Sequence, residues 1–181
     1  MPFAVTHVLV PLILSDIYRD FTKKGRKLLT RRMVLFAGIS GLIPDLDIPV
    51  FLVLSQFSSI PITNVHRTIT HSIFLPLLGL ALFFLLRTLF SKKSWHMYAL
   101  MFAFGTFSHI ALDGIINGTV MPFYPLSFAA FGLDLISVLV PWAVTGSDLP
   151  YRLTLLAGLD AVLLVVWLVY EEWKHKIKDY I

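Results

Sequence analysis

Residues Met33 to Phe57 read MVLFAGISGLIPDLDIPVFLVLSQF. The run is apolar at nearly every position and long enough to cross a bilayer, which takes about 20 residues of helix. Its middle breaks the pattern. Pro44-Asp45-Leu46-Asp47-Ile48-Pro49 sets two carboxylates between two prolines at membrane depth. Proline removes a backbone donor and clashes with the preceding turn. Irregular backbone inside a membrane survives only where protein or water covers it, and a charge there costs at least about 2.5–3.5 kcal/mol on insertion scales. A membrane helix interrupted at a functional cavity accounts for both features. Alternate residues of an extended stretch point to one side, so Asp45 and Asp47 are expected to face one cation. Asp47 as the N-cap of a helix starting near Pro49 would explain one aspartate and leave the other without a purpose.

The rest of the chain extends this reading. Its 181 residues are 57% apolar and only 14% charged, against about 25% charged in soluble domains. That excludes a water-soluble globule, a disordered chain and a nucleic-acid module. The absence of cysteine excludes a disulfide scaffold, a thiolate metal site and a cysteine nucleophile. Six windows qualify or nearly qualify as membrane segments: Pro2–Tyr18, Met33–Phe57, Ser72–Phe90, Trp95–Ile116, Phe128–Val144 and Leu153–Tyr170. The predicted fold is an all-α, polytopic membrane helical bundle. It has five to six segments, some broken or re-entrant, and forms one domain over residues 1–181. The first window lacks the basic region and small-residue cleavage site of a signal peptide and is expected to stay as a membrane helix or a half-inserted one.

Basic residues mark the cytoplasmic edges of membrane proteins. Seven lie between Arg19 and Arg32, Lys92 and Lys93 follow the third segment, and Lys174, Lys176 and Lys178 lie near the C-terminus. All three clusters share one side only if Phe128–Val144 is interfacial or re-entrant. The site would then lie toward the extracytoplasmic side of an inner-membrane protein.

Polar residues that should be expensive gather in four stretches: Thr6-His7, the Asp45/Asp47 block, Asn64 to Ser72, and Ser108 to Gly114. The third holds His66, Arg67 and His71, and Thr70 there is a candidate cap for a helix starting near His71. In the fourth, His109 and Asp113 stand at i, i+4 and share a helix face. Four of the six histidines and three of the nine aspartates fall in these stretches. Imidazole and carboxylate donors suit zinc, iron or manganese, zinc foremost. More than four donors imply two or more ions, or residues that back the ligands. Arg67 suits a phosphate or another anion. Asp134 and Asp160 are also intramembrane, without a partner motif. His96 reads as interfacial, His175 as solvated, and Asn117-Gly118-Thr119 as a turn rather than a glycosylation site.

Taken in order, these motifs resemble the YdjM-like family of membrane-bound metal-dependent hydrolases. The matching blocks are Thr6-His7, Gly41 to Asp47 with its Pro-Asp-x-Asp, His66-Arg67-x-x-Thr70-His71-Ser72, His109-x-x-x-Asp113, and Tyr124-Pro125. The resemblance spans residues of about 6 to 127. Ile48 stands where family members often carry histidine. What the resemblance implies is an integral membrane hydrolase with a divalent metal. The ligand types are also distantly similar to those of zinc-dependent phospholipase C and related single-strand nucleases, which cleave phosphoesters.

The expected function is therefore hydrolysis of a lipid or lipid-linked phosphoester by metal-activated water. His7, Asp45, Asp47, His66, His71, His109 and Asp113 are the expected metal ligands, with Asp47, Arg67 and His71 in catalytic roles. The expected partners are the bilayer and a lipid substrate, not nucleic acid. Two alternatives stay open. One is an ion or metal transporter, since intramembrane Asp and His also mark ion pathways, or a non-catalytic membrane scaffold. The other is a metal-free lipid phosphatase using His109 and Asp113, although the arginine and Pro-Ser-Gly-His motifs of that class are absent.

Overall fold

The structure is a computed structural model that describes residues 4–59, 61–62, 66–90, 94–116, 118–139 and 149–174. Those residues form eight α-helices: α1 (Ala4–Phe21), α2 (Lys23–Leu28), α3 (Arg31–Ser40), α4 (Asp47–Leu54), α5 (Phe74–Leu89), α6 (Trp95–Ile116), α7 (Leu135–Leu139) and α8 (Leu149–Trp173). Single 3-10 turns at Pro44–Leu46 and Ile69–His71 lead into α4 and toward α5.

Local chemistry sets the helix starts. The Thr22 hydroxyl accepts from the Gly25 amide at 2.7 Å, and that of Thr30 accepts from Met33 at 3.3 Å. Each satisfies a backbone donor that the first helical turn leaves open. The core lies where α1, α3 and α6 meet, through Leu12, Met33, Val34, Ala37, Met97 and Met101. Two glycines let these helices close up. A methyl group at Gly41 would overlap the His7 carbonyl, and one at Gly105 would overlap the Ala37 carbonyl. α5 packs on α6, and α8 packs on α1.

The expected five to six spans are not what forms. Among the described residues, two helices are long and apolar enough to cross a membrane, α6 and the Leu153–Trp173 part of α8. A third span exists if α3 and α4 are taken together across their break, where the axis bends by 47°. The 18 residues of α1 carry Asp16, Arg19 and Asp20 and pack into the bundle. α5 is apolar but has only 16 residues, about 24 Å at 1.5 Å per residue. Phe128–Val144 is irregular up to α7, and its last five residues lie outside those described. Counting apolar residues overstated the spans because it ignores where the chain bends and which faces other helices cover.

The break at Pro44 is also not extended. A 3-10 turn carries Asp45, and Asp47 is the first residue of α4 with no cap bond from its own side chain. Thr70 caps no helix either: α5 begins at Phe74 without a side-chain cap. Both residues are engaged elsewhere.

The bundle has two unlike ends. The C-terminus of α1, α2 and the N-terminus of α3 make a basic end. Glu171, near the C-terminus of α8, reaches it, with Glu171 Oε2 4.0 Å from Arg31 Nη1. The basic stretch from Arg19 to Arg32 and the C-terminus of α8 therefore lie together. The opposite end holds the start of α1, the end of α3, the 3-10 turn before α5 and the last turns of α6.

Candidate metal centre

Those four parts, the 3-10 turn Pro44–Leu46, the start of α4 and the turn at His66 and Arg67 bring every predicted site residue into one cluster. His7, His71, His109 and Asp113 are fully buried, and Asp47 nearly so. The Nε2 atoms of His71 and His109 stand 3.1 Å apart. Asp45 Oδ1 lies 3.5 Å from each of them. Asp113 Oδ2 lies 3.5 Å from His71 Nε2 and 3.8 Å from His109 Nε2. Ligands held about 2.0–2.1 Å from a tetrahedral ion stand about 3.3 Å from one another. Five of the six separations among these four atoms thus lie near that value. His7 stacks on His109 with ring centroids 3.7 Å apart, and its Nε2 is 3.5 Å from Asp113 Oδ1.

Three groups of donors come within metal-ligating reach: His7, Asp45 and His109; Asp45, His66 and His71; and His71, His109 and Asp113. They share members, so the cluster could hold a metal ion in more than one place. The chemistry of the donors fits. Both ring nitrogens of His7, Asp45 Oδ1 and both oxygens of Asp113 are buried and lack a hydrogen-bond partner. Atoms of this kind cost about 1–3 kcal/mol each when left bare, and a cation would satisfy several at once.

Hydrogen bonding sets which nitrogen faces the cluster. His109 Nδ1 is 2.6 Å from the Gly41 carbonyl, an acceptor, so Nδ1 carries the proton and Nε2 presents its lone pair. The Thr70 hydroxyl donates to Asp47 Oδ2 at 2.6 Å, which leaves its oxygen to accept from His71 Nδ1 at 3.1 Å. His71 Nε2 then also presents a lone pair. Two lone pairs 3.1 Å apart, flanked by carboxylates, repel unless a cation stands between them. Without a metal, a proton can take that place. Burial opposes charging of His71, but the carboxylates of Asp45, Asp47 and Asp113 outweigh it and raise its pKa above the ordinary histidine value.

Asp47 stands apart from the three donor groups. It receives Thr70, approaches His71 Nδ1 at 3.5 Å and bonds His66 Nδ1 at 2.8 Å. Carboxylates in this position orient ligand imidazoles and raise their basicity. Arg67 holds a left-handed backbone, φ 62°, a conformation that costs non-glycine residues about 1–3 kcal/mol. Its Nη2 lies 3.4 Å from Asp113 Oδ2 and its Nη1 donates to the Thr119 carbonyl at 3.5 Å. A cleft of about 430 Å³ lined by Leu46, Asp47, Thr68, Thr70 and Tyr124 opens beside Asp47.

One member of the site was not foreseen. Asp160, buried on α8, accepts from the Thr6 amide at 3.1 Å and from the Thr6 hydroxyl as well. It thereby holds the residue next to His7. Its only sequence signal was its cost, an acid within an apolar helix. Asp134 accepts from the Ser137 hydroxyl in the first turn of α7, and His96 packs near Phe83; neither joins the cluster. Gly118 has φ 130°, in keeping with a turn there, while Asn117 and His175 lie outside the described residues.

The chain matches the family described as YdjM inner membrane protein over residues 1–175 and belongs to it. With its apolar helices, it is an integral inner-membrane protein. Neither a curated protein nor a solved structure matches the chain.

Proposed function

We propose that this protein is a metal-dependent hydrolase acting on a phosphoester of a lipid or lipid-linked substrate. The observation that carries the reading is the pair of buried imidazole Nε2 atoms, 3.1 Å apart and flanked by Asp45 and Asp113. His7, Asp45, His71, His109 and Asp113 would hold the metal, with zinc the best match to the donors and spacing. His66 offers a place for a second ion beside Asp45 and His71. When bound, such an ion polarises a phosphoryl oxygen and makes water acidic enough to attack at neutral pH.

The chain's own residues do the rest. Asp47 orients His71 and His66 and can receive a proton through the His66 bond. Arg67, on the rim of the cluster, can bind phosphoryl oxygens with its remaining donors. Asp113 already holds Arg67 beside the metal ligands. The cleft next to Asp47 admits a headgroup, and the apolar flanks suit the rest of a lipid. Since the basic end is expected to be cytoplasmic, the site opens toward the extracytoplasmic side.

Metal analysis of the purified protein tests the reading. Bound transition metal is expected, lost in His71→Ala and in Asp113→Ala. Hydrolysis of a phosphatidic acid or phospholipid panel should stop with chelator and return with zinc. No bound metal in the unaltered protein, with both variants indistinguishable from it, would sink the proposal.

A further inference from the structure

Beside the metal centre, on the far side of α5 and α6, runs an apolar groove. One part, about 280 Å³, lies between Ile73, Leu77 and Leu80 of the α5 side and Ala103 and Phe107 of α6. The other, about 510 Å³, continues past Ile73 and Phe107 to Ile110, Gly114 and Leu133. Ile73 and Phe107 line both parts, so the two adjoin at these side chains. From Ala103 to Ile115 the groove follows α6 for about 18 Å at 1.5 Å per residue. That is close to the depth of one bilayer leaflet, about half of a 30 Å hydrocarbon core.

The wall at the site end is built by hydrogen bonds. Val120 and Phe131 exchange amide bonds at 2.9 Å, Leu133 donates to the Gly114 carbonyl at 2.8 Å, and Ile73 donates to the Pro122 carbonyl at 2.8 Å. This irregular segment is thus tied to both helices. The groove and the metal centre are then joined through one side chain. Arg67 contacts Asp113 at 3.4 Å and donates to Thr119, the residue before Val120 of the groove wall. The lining follows the ligands by single steps: Ile73 lies two residues past His71, Ile110 next to His109, and Gly114 next to Asp113.

We propose that this groove binds the hydrocarbon chain of a lipid phosphate from the leaflet on the site's side, with the phosphate held at Arg67. A groove of leaflet depth fixes the direction of the chain. The single cation at its site end fixes the headgroup charge. This deepens the hydrolase reading by naming how the substrate lies, but binding itself needs no turnover.

Phe107→Trp places a fluorophore midway along the groove. The protein is reconstituted in phosphatidylcholine nanodiscs holding a few mole per cent of dibrominated phosphatidic acid or dibrominated diacylglycerol. Fluorescence is compared with the same protein retaining Phe107. The phosphate-bearing lipid is expected to quench several-fold more than its share of the bilayer predicts, and diacylglycerol no more than its share. Arg67→Ala should bring phosphatidic acid down to the level of diacylglycerol. Gly114→Leu, which fills the groove, should remove the excess quenching, and Ala111→Phe on the same wall is a second blocking variant should the first not fold. Equal quenching by the two lipids, or an excess that survives both Arg67→Ala and a folded blocking variant, overturns the proposal in favour of ordinary surrounding lipid. Metal analysis separates this from the hydrolase reading: preferential quenching by a metal-free protein would leave the lipid site standing without hydrolysis.

Discussion

The two ends of the bundle both bury charge, but they balance it differently. At the basic end, cations meet acceptors. Arg19 bonds Asp20 at 2.9 Å and the Leu29 carbonyl at 3.1 Å, and Arg31 faces Glu171 at 4.0 Å. At the other end, imidazoles and carboxylates face one another, and Arg67 is the one Lys or Arg within ion-pair reach of them among the described residues. The first arrangement sets opposite charges against each other. The second is short of positive charge, and donor atoms at ligand spacing fill the shortfall with a place for a cation. Charge inside a membrane protein therefore has to be read by its partners: paired opposites hold helices together, whereas converging lone pairs point to chemistry.

Substitutions at the two ends should separate these roles when metal affinity is the common measure. The largest effect short of removing a ligand is expected for Asp47→Asn, which weakens the support of His71 and His66. Affinity should fall about 10–100-fold, as for other residues that back metal ligands, measured by titration against a competing chelator.

Acid comes next. His71 has a raised pKa, and a metal must displace its proton. Metal affinity should therefore fall as pH drops below that raised value, by about tenfold per unit for one displaced proton. The metal-free protein should show the opposite trend. His71 lends it stability below the unfolded histidine pKa and loses that contribution as pH rises through the raised value. Thermal unfolding of the metal-free and loaded forms across pH checks both signs, and parallel trends would count against His71 as a ligand.

A smaller loss is expected for Asp160→Ala. It frees the Thr6 amide and hydroxyl, costs about 1–3 kcal/mol of stability, and lowers metal affinity only through His7. Asp160→Asn, which keeps an acceptor oxygen, should recover most of the affinity. Smallest is Arg31→Leu at the basic end. It should reduce stability by taking one cation away from buried Glu171, while metal content stays unchanged. Metal loss in that variant would erase the contrast between the two ends.

Much of the site was legible because its residues violate their surroundings. Asp45, His71 and Asp113 are conspicuous in an apolar chain, and the i, i+4 spacing of His109 and Asp113 identifies a shared face before any tertiary contact is known. Two relations were not legible. The pairing of Thr6 with Asp160 depends on the register of α8 against α1, which no local pattern encodes. The Gly41 carbonyl that orients His109 is a backbone atom with no residue signature. The all-helical class was legible from composition. The span number was not, because Pro44 divides one apolar run into two helices and Asp16 to Asp20 turns another into a helix packed within the bundle.

The separation of His7 from Asp113 along the chain sets an order of events in the cell. Ribosomes deliver about 5–20 residues per second, so the first ligand waits several seconds for the last. Asp160, which secures Thr6 beside it, arrives later still. No half-made chain contains the complete centre. Every donor of the cluster is present once Asp113 has been made, and docking of α8 then adds the hold of Asp160 on Thr6.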